Sequence, residues 1–316
     1  MACGRERVLI TGGTGFIGAC LARDLIAAGD DVHLLLRRES RMWRLRGTDG
    51  RYTPHWADLR DANALRKAVT ACRPEVIYHL ATHGAYPSQK ERAAILATNL
   101  LGTANLLDAL DTHDYRAFVH AGSSSEYGHK GGPMREDGRL EPRTDYAVTK
   151  AAATLVCQAE AFKGRPVCTV RVFSAYGPWE EPTRLVPYVM GCCLEGVNPK
   201  VTAGWQPRDF IYVDDVVALL KCAAGQNQVH GQILHAGTGR QHTVRDMVET
   251  IIAVCGAGQV QAQFGTESVR PDEPTSWVAS LEQTTALTGW RPQHDLRSGI
   301  SRMWSWWTTT PMERAA

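Results

Sequence analysis

Arg7-Val8-Leu9-Ile10-Thr11-Gly12-Gly13-Thr14-Gly15-Phe16-Ile17-Gly18 is the stretch on which the fold turns. Its first five residues form a short apolar run of the kind that makes a buried strand. Leu21, Leu25 and Ala28 continue a helical stripe from Ile17, and Gly29 closes it. Between strand and helix, Gly12, Gly15 and Gly18 recur at G-x-x-G-x-x-G spacing. Gly12 permits a tight turn, Gly15 lets a pyrophosphate approach the backbone, and Gly18 lets the helix lie close on the sheet. With Thr14, Phe16 and Ile17 they make a candidate dinucleotide-binding turn.

Working outward, the second strand covers 31–36 and ends at Leu36, followed by Arg37 and Arg38, with Arg41 and Arg44 nearby. An acid at that strand end suits the ribose 2′-hydroxyl of NAD, and Arg suits the 2′-phosphate of NADP. The missing acid and the arriving guanidinium groups favour NADP(H), with NAD(H) the alternative. The stretch 55–61 reads as a strand end and loop, with Asp61 capping a helix over 62–72. A strand at 76–81 ends in Leu80-Ala81, a polar loop follows, and a long helix spans about 90–111. The strand at 117–122 opens into Ser123-Ser124-Ser125-Glu126-Tyr127-Gly128. Thr144 or Asp145 then caps a helix to 162 that carries Tyr146 and Lys150 one turn apart on one face. A neighbouring ammonium favours a phenolate, so Lys150 is expected to lower the Tyr146 pKa and make it a usable proton donor or acceptor.

In open α/β sheets, ligands bind beyond the carboxyl ends of the strands. The Gly turn, Leu80-Ala81, the Ser cluster and the Tyr146 helix should therefore meet at one crevice. The expected fold class is α/β, a Rossmann-like doubly wound parallel sheet with a smaller C-terminal substrate-binding lobe. Residues 1–175 form the dinucleotide-binding domain and 176–316 an interleaved lobe. Later elements are a strand at 167–173, a helix near 184–195, a strand at 208–216 running into a helix, a strand at 232–236, a helix at 243–254 and a terminal helix at 296–307. Trp304, Trp306 and Trp307 on that last helix suit packing against a core or another subunit.

Composition narrows the classes. A net charge of +2 gives no reason to expect nucleic acid or an anionic membrane surface as a partner. The 11 His are scattered, and no Cys/His group has metal-ligand spacing, so no metal is expected. Nine Cys with no C-x-x-C, several among helical apolar residues, read as reduced thiols in a cytoplasmic protein. No apolar run is long enough to span a membrane, and the first strand starts too early to leave room for a signal peptide.

The motifs together resemble the extended short-chain dehydrogenase/reductases, in the nucleotide-sugar epimerase, dehydratase and 4-ketoreductase group. The likeness runs through T-G-G-T-G-F-I-G at 11–18, A-D-L-R-D at 57–61, Y-H-L-A at 78–81 and T-N-L-L-G-T at 98–103. It continues with S-S-S-E-Y-G at 123–128, Y-A-V-T-K at 146–150, R-V-F-S-A-Y-G-P at 171–178, R-D-F-I-Y-V-D-D at 208–215, V-R-P-D-E at 269–273 and G-W-R-P at 289–292. The resemblance implies that Tyr146 exchanges a proton with a sugar oxygen and that Lys150 tunes it and holds the nicotinamide ribose. It implies Ser123 as their partner, with Ser124 the fallback. Asp58 and Leu59 would meet the adenine, Leu80 and Ala81 would flank the cofactor, and Asn99 would order the site. His83, Ser125, Ser174, Arg184, Arg208 and Arg270 would contact a nucleotide-diphosphate sugar, the two last-named gripping its phosphates. The alternative for Arg208 is an ion pair with Asp209 or Asp214. A homodimer is expected.

Two departures narrow the chemistry. The 4,6-dehydratases carry an acid and a base after the Ser/Thr, where this chain has Ser124 and Ser125. Glu126 comes one place late and would point away if the chain is extended there. Ser174 stands where many members carry Asn. The preferred expectation is NADPH-dependent reduction of a 4-keto-6-deoxy sugar at C4, which the Leu36-Arg37-Arg38 strand end favours. A loose likeness of 264–292 to reductases resembling CDP-abequose synthase points the same way. The alternatives are an NAD-dependent nucleotide-sugar 4-epimerase and, remotely, a dinucleotide sensor without catalysis.

Overall fold

The structure, a computed structural model, describes residues 5–86, 88–269 and 273–310. Seven parallel strands form the central sheet. Chain order introduces β1 (Arg7–Thr11), α1 (Phe16–Ala28), β2 (Asp31–Leu36), β3 (Thr53–Trp56), α2 (Ala62–Cys72) and β4 (Val76–His79). Next come α3 (Arg92–Leu96), α4 (Gly102–Ala109), β5 (Ala117–Ser123), α5 (Asp145–Phe162), β6 (Val167–Val172) and β7 (Ser174–Tyr176). Beyond them lie α6 (Leu185–Glu195), β8 (Lys200–Val201), β9 (Pro207–Arg208), β10 (Phe210–Tyr212), α7 (Val213–Ala224) and β11 (Ile233–Ala236). The chain ends with β12 (His242–Thr243), α8 (Val244–Cys255), β13 (Gln263–Phe264), α9 (Glu282–Thr288) and α10 (Leu296–Thr309).

Alternation along the strands explains the layers. Val8, Ile10, Val32 and Leu34 face one way and bury α1 and α7, while Leu9, Leu35, Ile77 and Phe118 face the other and bury α2, α4 and α5. Truncating a side chain such as Leu9 to Ala typically costs about 2–5 kcal/mol. The strands lie in the order β11-β6-β5-β4-β1-β2-β3, which reverses beside β1, with β2 on one side and β4 on the other, and this switch point holds the Gly turn. A third core packs α6, α8 and α10 around Val189, Met190, Met247, Ile251 and Met303. The chain after 176 is not confined to that lobe: β11 pairs with β6 in the main sheet and α7 joins its core.

The caps follow local chemistry. Asp61 accepts from Asn63 and Ala64 backbone N–H at the start of α2, and Thr144 accepts from Ala147 to start α5. The expected continuous helix at 90–111 is instead α3, a π-helical turn at Ala97–Leu101, and α4. The strand expected at 208–216 breaks into β9 and β10. No helix among the described residues is long and apolar enough to cross a membrane.

Candidate active site

The Gly turn fits an anionic ligand. Gly12 has φ +72°, and a Cβ there would lie 2.6 Å from the Ala81 nitrogen; one on Gly18 would meet the Gly12 oxygen. Side chains at these two positions would push β1, Ala81 and α1 apart. Gly15 caps α1 without a side-chain hydrogen bond, leaving the first-turn N–H groups of Phe16 and Ile17 to a ligand. Leu80 and Ala81 therefore abut the turn, as expected.

Arg37 and Arg38 stand exposed past Leu36. Asp58 is held by Arg60 through contacts of 2.9 and 2.7 Å, which together with Arg37 keep its carboxyl below the ordinary range. Arg44 goes elsewhere. Only 5% exposed, it donates to the oxygens of Thr14 (3.3 Å), Trp179 (2.6 Å) and Glu181 (2.7 Å). It thereby clasps the Gly turn to the 178–184 segment of the second lobe. Trp179 sits in that segment at φ +70°, a conformation rare for a bulky residue, with its ring under Arg23 and against Trp306.

At the end of β5 the chain does not stay extended: a 3-10 turn over Ser124–Tyr127 redirects the Ser cluster. Ser123 Oγ lies 2.8 Å from Ser125 Oγ, and its hydroxyl acts on the Tyr146 phenol by lowering that group's pKa. Ser124 is turned away and buried, accepting from the Trp277 indole at 3.2 Å. Glu126 is fully buried behind them. One oxygen accepts from the Ser123 backbone N–H (2.7 Å) and the other from Arg171 Nε (2.8 Å). Arg171 also donates to Tyr127, whose hydroxyl lies 2.6 Å from His235 Nε2. Glu126 thus holds the shelf on which Ser123 sits and takes no place among reacting groups.

Tyr146 and Lys150 behave differently from the expectation of a direct pair. Burial is the largest influence and leaves the phenol above its ordinary value, opposite to the expected lowering; Ser123 lowers it, Glu126 raises it, and Arg184 and Thr82 lower it. Lys150, 4% exposed, has its Nζ 3.2 Å from His120 Nε2, and burial lowers its pKa to about 8. Spacing put both on one face of α5, but the ammonium turns inward to β5.

Asn99 lies in the π-helical turn and uses its whole amide. Oδ1 accepts from His83 N–H (2.7 Å) and Thr82 Oγ1 (3.1 Å), while Nδ2 donates to the His83 oxygen (2.8 Å) and Thr149 Oγ1 (2.9 Å). It ties the loop after β4 to α5, a positioning role; π-turns often mark such places. His83 is thereby anchored by its backbone. Arg184, at the start of α6, donates to the Ala85 oxygen (3.1 Å) and covers the Tyr86 ring. Ser174 is half-buried on β7 beside Asp209. Arg208 makes neither of the ion pairs weighed for it. It contacts both oxygens of Glu273, at 3.0 and 2.8 Å, while Asp209 holds Thr238, Gly239 and Ala279 and Asp214 faces Arg302. Arg270 lies outside the described residues.

Comparison with known proteins bears on the chain as a whole. Residues 8–237 match the model of the NAD dependent epimerase/dehydratase family. The chain belongs to this family. It is an extended short-chain dehydrogenase/reductase enzyme of the nucleotide-sugar dehydratase and epimerase group. A dTDP-glucose 4,6-dehydratase of Actinoplanes sp. is 27% identical over 96% of this chain and 100% of its own. A probable UDP-glucuronate 4-epimerase of Rhizobium meliloti is 28% identical, covering 95% and 96%. The solved structure of MoeE5 in complex with UDP-glucose and NAD is 29% identical, with TM-score 0.82 and coverage of 95% and 98%.

Proposed function

We propose that this family member exchanges a hydride and a proton at C4 of a nucleotide-diphosphate sugar, without dehydrating it. One observation carries the reading. The Ser123 hydroxyl stands near enough to the Tyr146 phenol to lower its pKa, while the two positions that hold a dehydratase's acid and base are Ser124, turned to Trp277, and Ser125. Glu126, the remaining carboxylate, is committed to Arg171 and the Ser123 backbone.

Gly12 through Gly18 would hold a dinucleotide's pyrophosphate, Asp58 and Leu59 its adenine, and Lys150 its nicotinamide ribose. When bound, that cofactor supplies hydride exchange. In the reducing direction Tyr146 donates its proton to the sugar's C4 oxygen, and Ser123 hydrogen-bonds the same oxygen. Ser125, His83, Ser174 and Arg184 line the sugar side, and Arg208, with Arg270, takes the diphosphate. The division of labour is 1–175 for cofactor and 176–316 for sugar, with β11 and α7 returned to the first. A homodimer through α3, the π-helical turn that follows it and α5 accounts for the exposed Leu96, Leu101, Val148, Leu155 and Phe162 on those neighbouring elements.

Within this chemistry we infer NADPH-dependent reduction of a 4-keto-6-deoxy sugar, because β2 ends without an acid and two exposed arginines follow. A 4-epimerase using NAD is the second reading, favoured by the epimerase relative and by MoeE5, solved with UDP-glucose and NAD. Titrating the purified protein with NADPH and NADH, then assaying 4-keto and 4-hydroxy nucleotide sugars, separates them. Tighter NADPH, with that preference lost in the Arg37→Ala, Arg38→Ala double variant, supports reduction. Tightly held NAD with indifference to NADPH makes the enzyme an epimerase.

A further inference from the structure

Away from the crevice, near the start of the sheet's edge, three side chains from separate elements converge. His33 stands on β2, His55 on neighbouring β3, and Cys72 ends α2 above them. One ligand atom from each lies within 4.8 Å of the others. His33 Nδ1 and His55 Nε2 face each other at 2.8 Å. His33 is 8% exposed and Cys72 1%, while half-buried His55 leaves an entry side. The other His33 nitrogen, Nε2, is buried with no hydrogen-bond partner and lies 3.5 Å from an Asp31 oxygen.

We propose that His33, His55 and Cys72 form a three-ligand site for a borderline-soft divalent cation of the zinc type, with Asp31 as the outer carboxylate that orients His33. Two imidazoles and a thiolate are a donor set that zinc takes and that magnesium or calcium, which want oxygen, do not. A carboxylate on the far nitrogen of a metal-bound histidine fixes its tautomer and raises its basicity. Asp31 is placed for that, with Arg5 and Arg7 each 3.4 Å from its carboxylate.

Binding exchanges protons for metal. The Cys72 Sγ–H bond breaks and its proton leaves to solvent. The one proton between the facing imidazole nitrogens moves to the outward nitrogen of the ring that held it, so each neutral ring keeps its single proton outward, that on His33 Nε2 pointing to Asp31. Two nitrogen lone pairs and the thiolate then donate to the cation, and water completes the tetrahedron. The facing nitrogens must open from 2.8 Å to about 3.3 Å for tetrahedral bonds of roughly 2.0–2.1 Å. That is a side-chain adjustment of about half an ångström beside the core cluster that holds Cys72 with Leu35, Leu65, Ala68 and Val69. The site bridges β2, β3 and α2, so its effect is on that edge of the sheet and not on the reacting atoms.

The test uses untagged, metal-stripped full-length protein titrated with Zn2+ against a chromogenic chelator. One equivalent bound by the parent, weakened at least about tenfold in both His55→Ala and Cys72→Ser, is expected. Asp31→Asn should weaken it about ten- to a hundredfold, the usual cost of losing an outer-shell partner. Co2+ should give a thiolate charge-transfer absorption in the parent that Cys72→Ser abolishes, and Zn2+ should raise the parent's Tm but not that of His55→Ala. The proposal is overturned if the parent holds no Zn2+, or if His55→Ala holds it as tightly as the parent. His55 is half-buried, so its variant remains informative should Cys72→Ser fail to fold.

Discussion

Two arginine–glutamate pairs, Arg171 with Glu126 and Arg208 with Glu273, stand in sharply different environments. Arg171 and Glu126 are both within 2% of full burial, and each has further partners: Tyr127 and the Glu136 oxygen for the one, the Ser123 backbone for the other. Arg208 keeps 24% side-chain exposure and has Glu273 as its carboxylate partner, plus its neighbour's carbonyl. A guanidinium enclosed by several fixed acceptors is architecture, because no ligand can displace them all. One that meets a single carboxylate among the described residues and keeps some exposure can trade that partner for a phosphate. The first pair sets where Ser123 stands; the second is read as a donor in waiting.

Breaking the enclosed pair should have the largest effect. Glu126→Ala leaves Arg171 buried and uncompensated, so urea unfolding should show a loss of about 3–5 kcal/mol. A loss under about 1 kcal/mol would remove the distinction between the pairs. Lys150 offers a second large effect of opposite sign. Its folded pKa of about 8 lies below the ordinary Lys value of 10.5. Between these values the unfolded chain binds the extra proton, so this group's contribution to stability rises with pH over that window and is unfavourable at pH 7. Lys150→Met should abolish activity yet stabilise the fold at pH 7 by roughly 1–3 kcal/mol and flatten the rise between about pH 8 and 10.5. Urea titrations across that range read both.

The exchangeable pair should give smaller effects, seen in binding. Arg208→Ala should weaken a free nucleoside diphosphate by about ten- to a hundredfold, the worth of a charge-assisted hydrogen bond or two, with cofactor affinity nearly unchanged. Glu273→Gln should act least and in the other direction. It removes a competitor for Arg208, so the same diphosphate should bind a few-fold tighter, a change under about 1 kcal/mol. Isothermal titration measures both. Equal affinity in parent and Arg208→Ala would make this pair architecture as well.

What could be read in the sequence was what depends on neighbours in the chain. Strand periodicity, the Gly spacing, and the caps at Asp61 and Thr144 are local, and they place β1 to β6 and the crevice. What depends on distant partners was not legible. Arg208 meets an acid in a segment far along the chain, and Arg44 reaches Trp179 and Glu181 rather than the cofactor ribose. The Ser cluster was misjudged in its geometry: a 3-10 turn replaces the assumed extended chain and sends Glu126 inward. Lys150 shares a helical face with Tyr146, yet His120, an unremarked strand residue, takes its ammonium. The π-helical turn around Asn99 leaves no mark in a sequence whose apolar pattern reads as one helix.

The central claim is C4 hydride and proton exchange without dehydration, and the fate of oxygen and hydrogen in the sugar tests it most directly. Purified enzyme with its cofactor and a panel of nucleotide-diphosphate hexoses and 4-keto-6-deoxy hexoses, incubated in D2O, is followed by NMR. The account predicts change confined to C4, every hexose keeping its C6 oxygen and no solvent deuterium entering C5, with turnover falling about two to four powers of ten in Tyr146→Phe. A 4-keto-6-deoxy product formed from a hexose, with deuterium at C5, would contradict it.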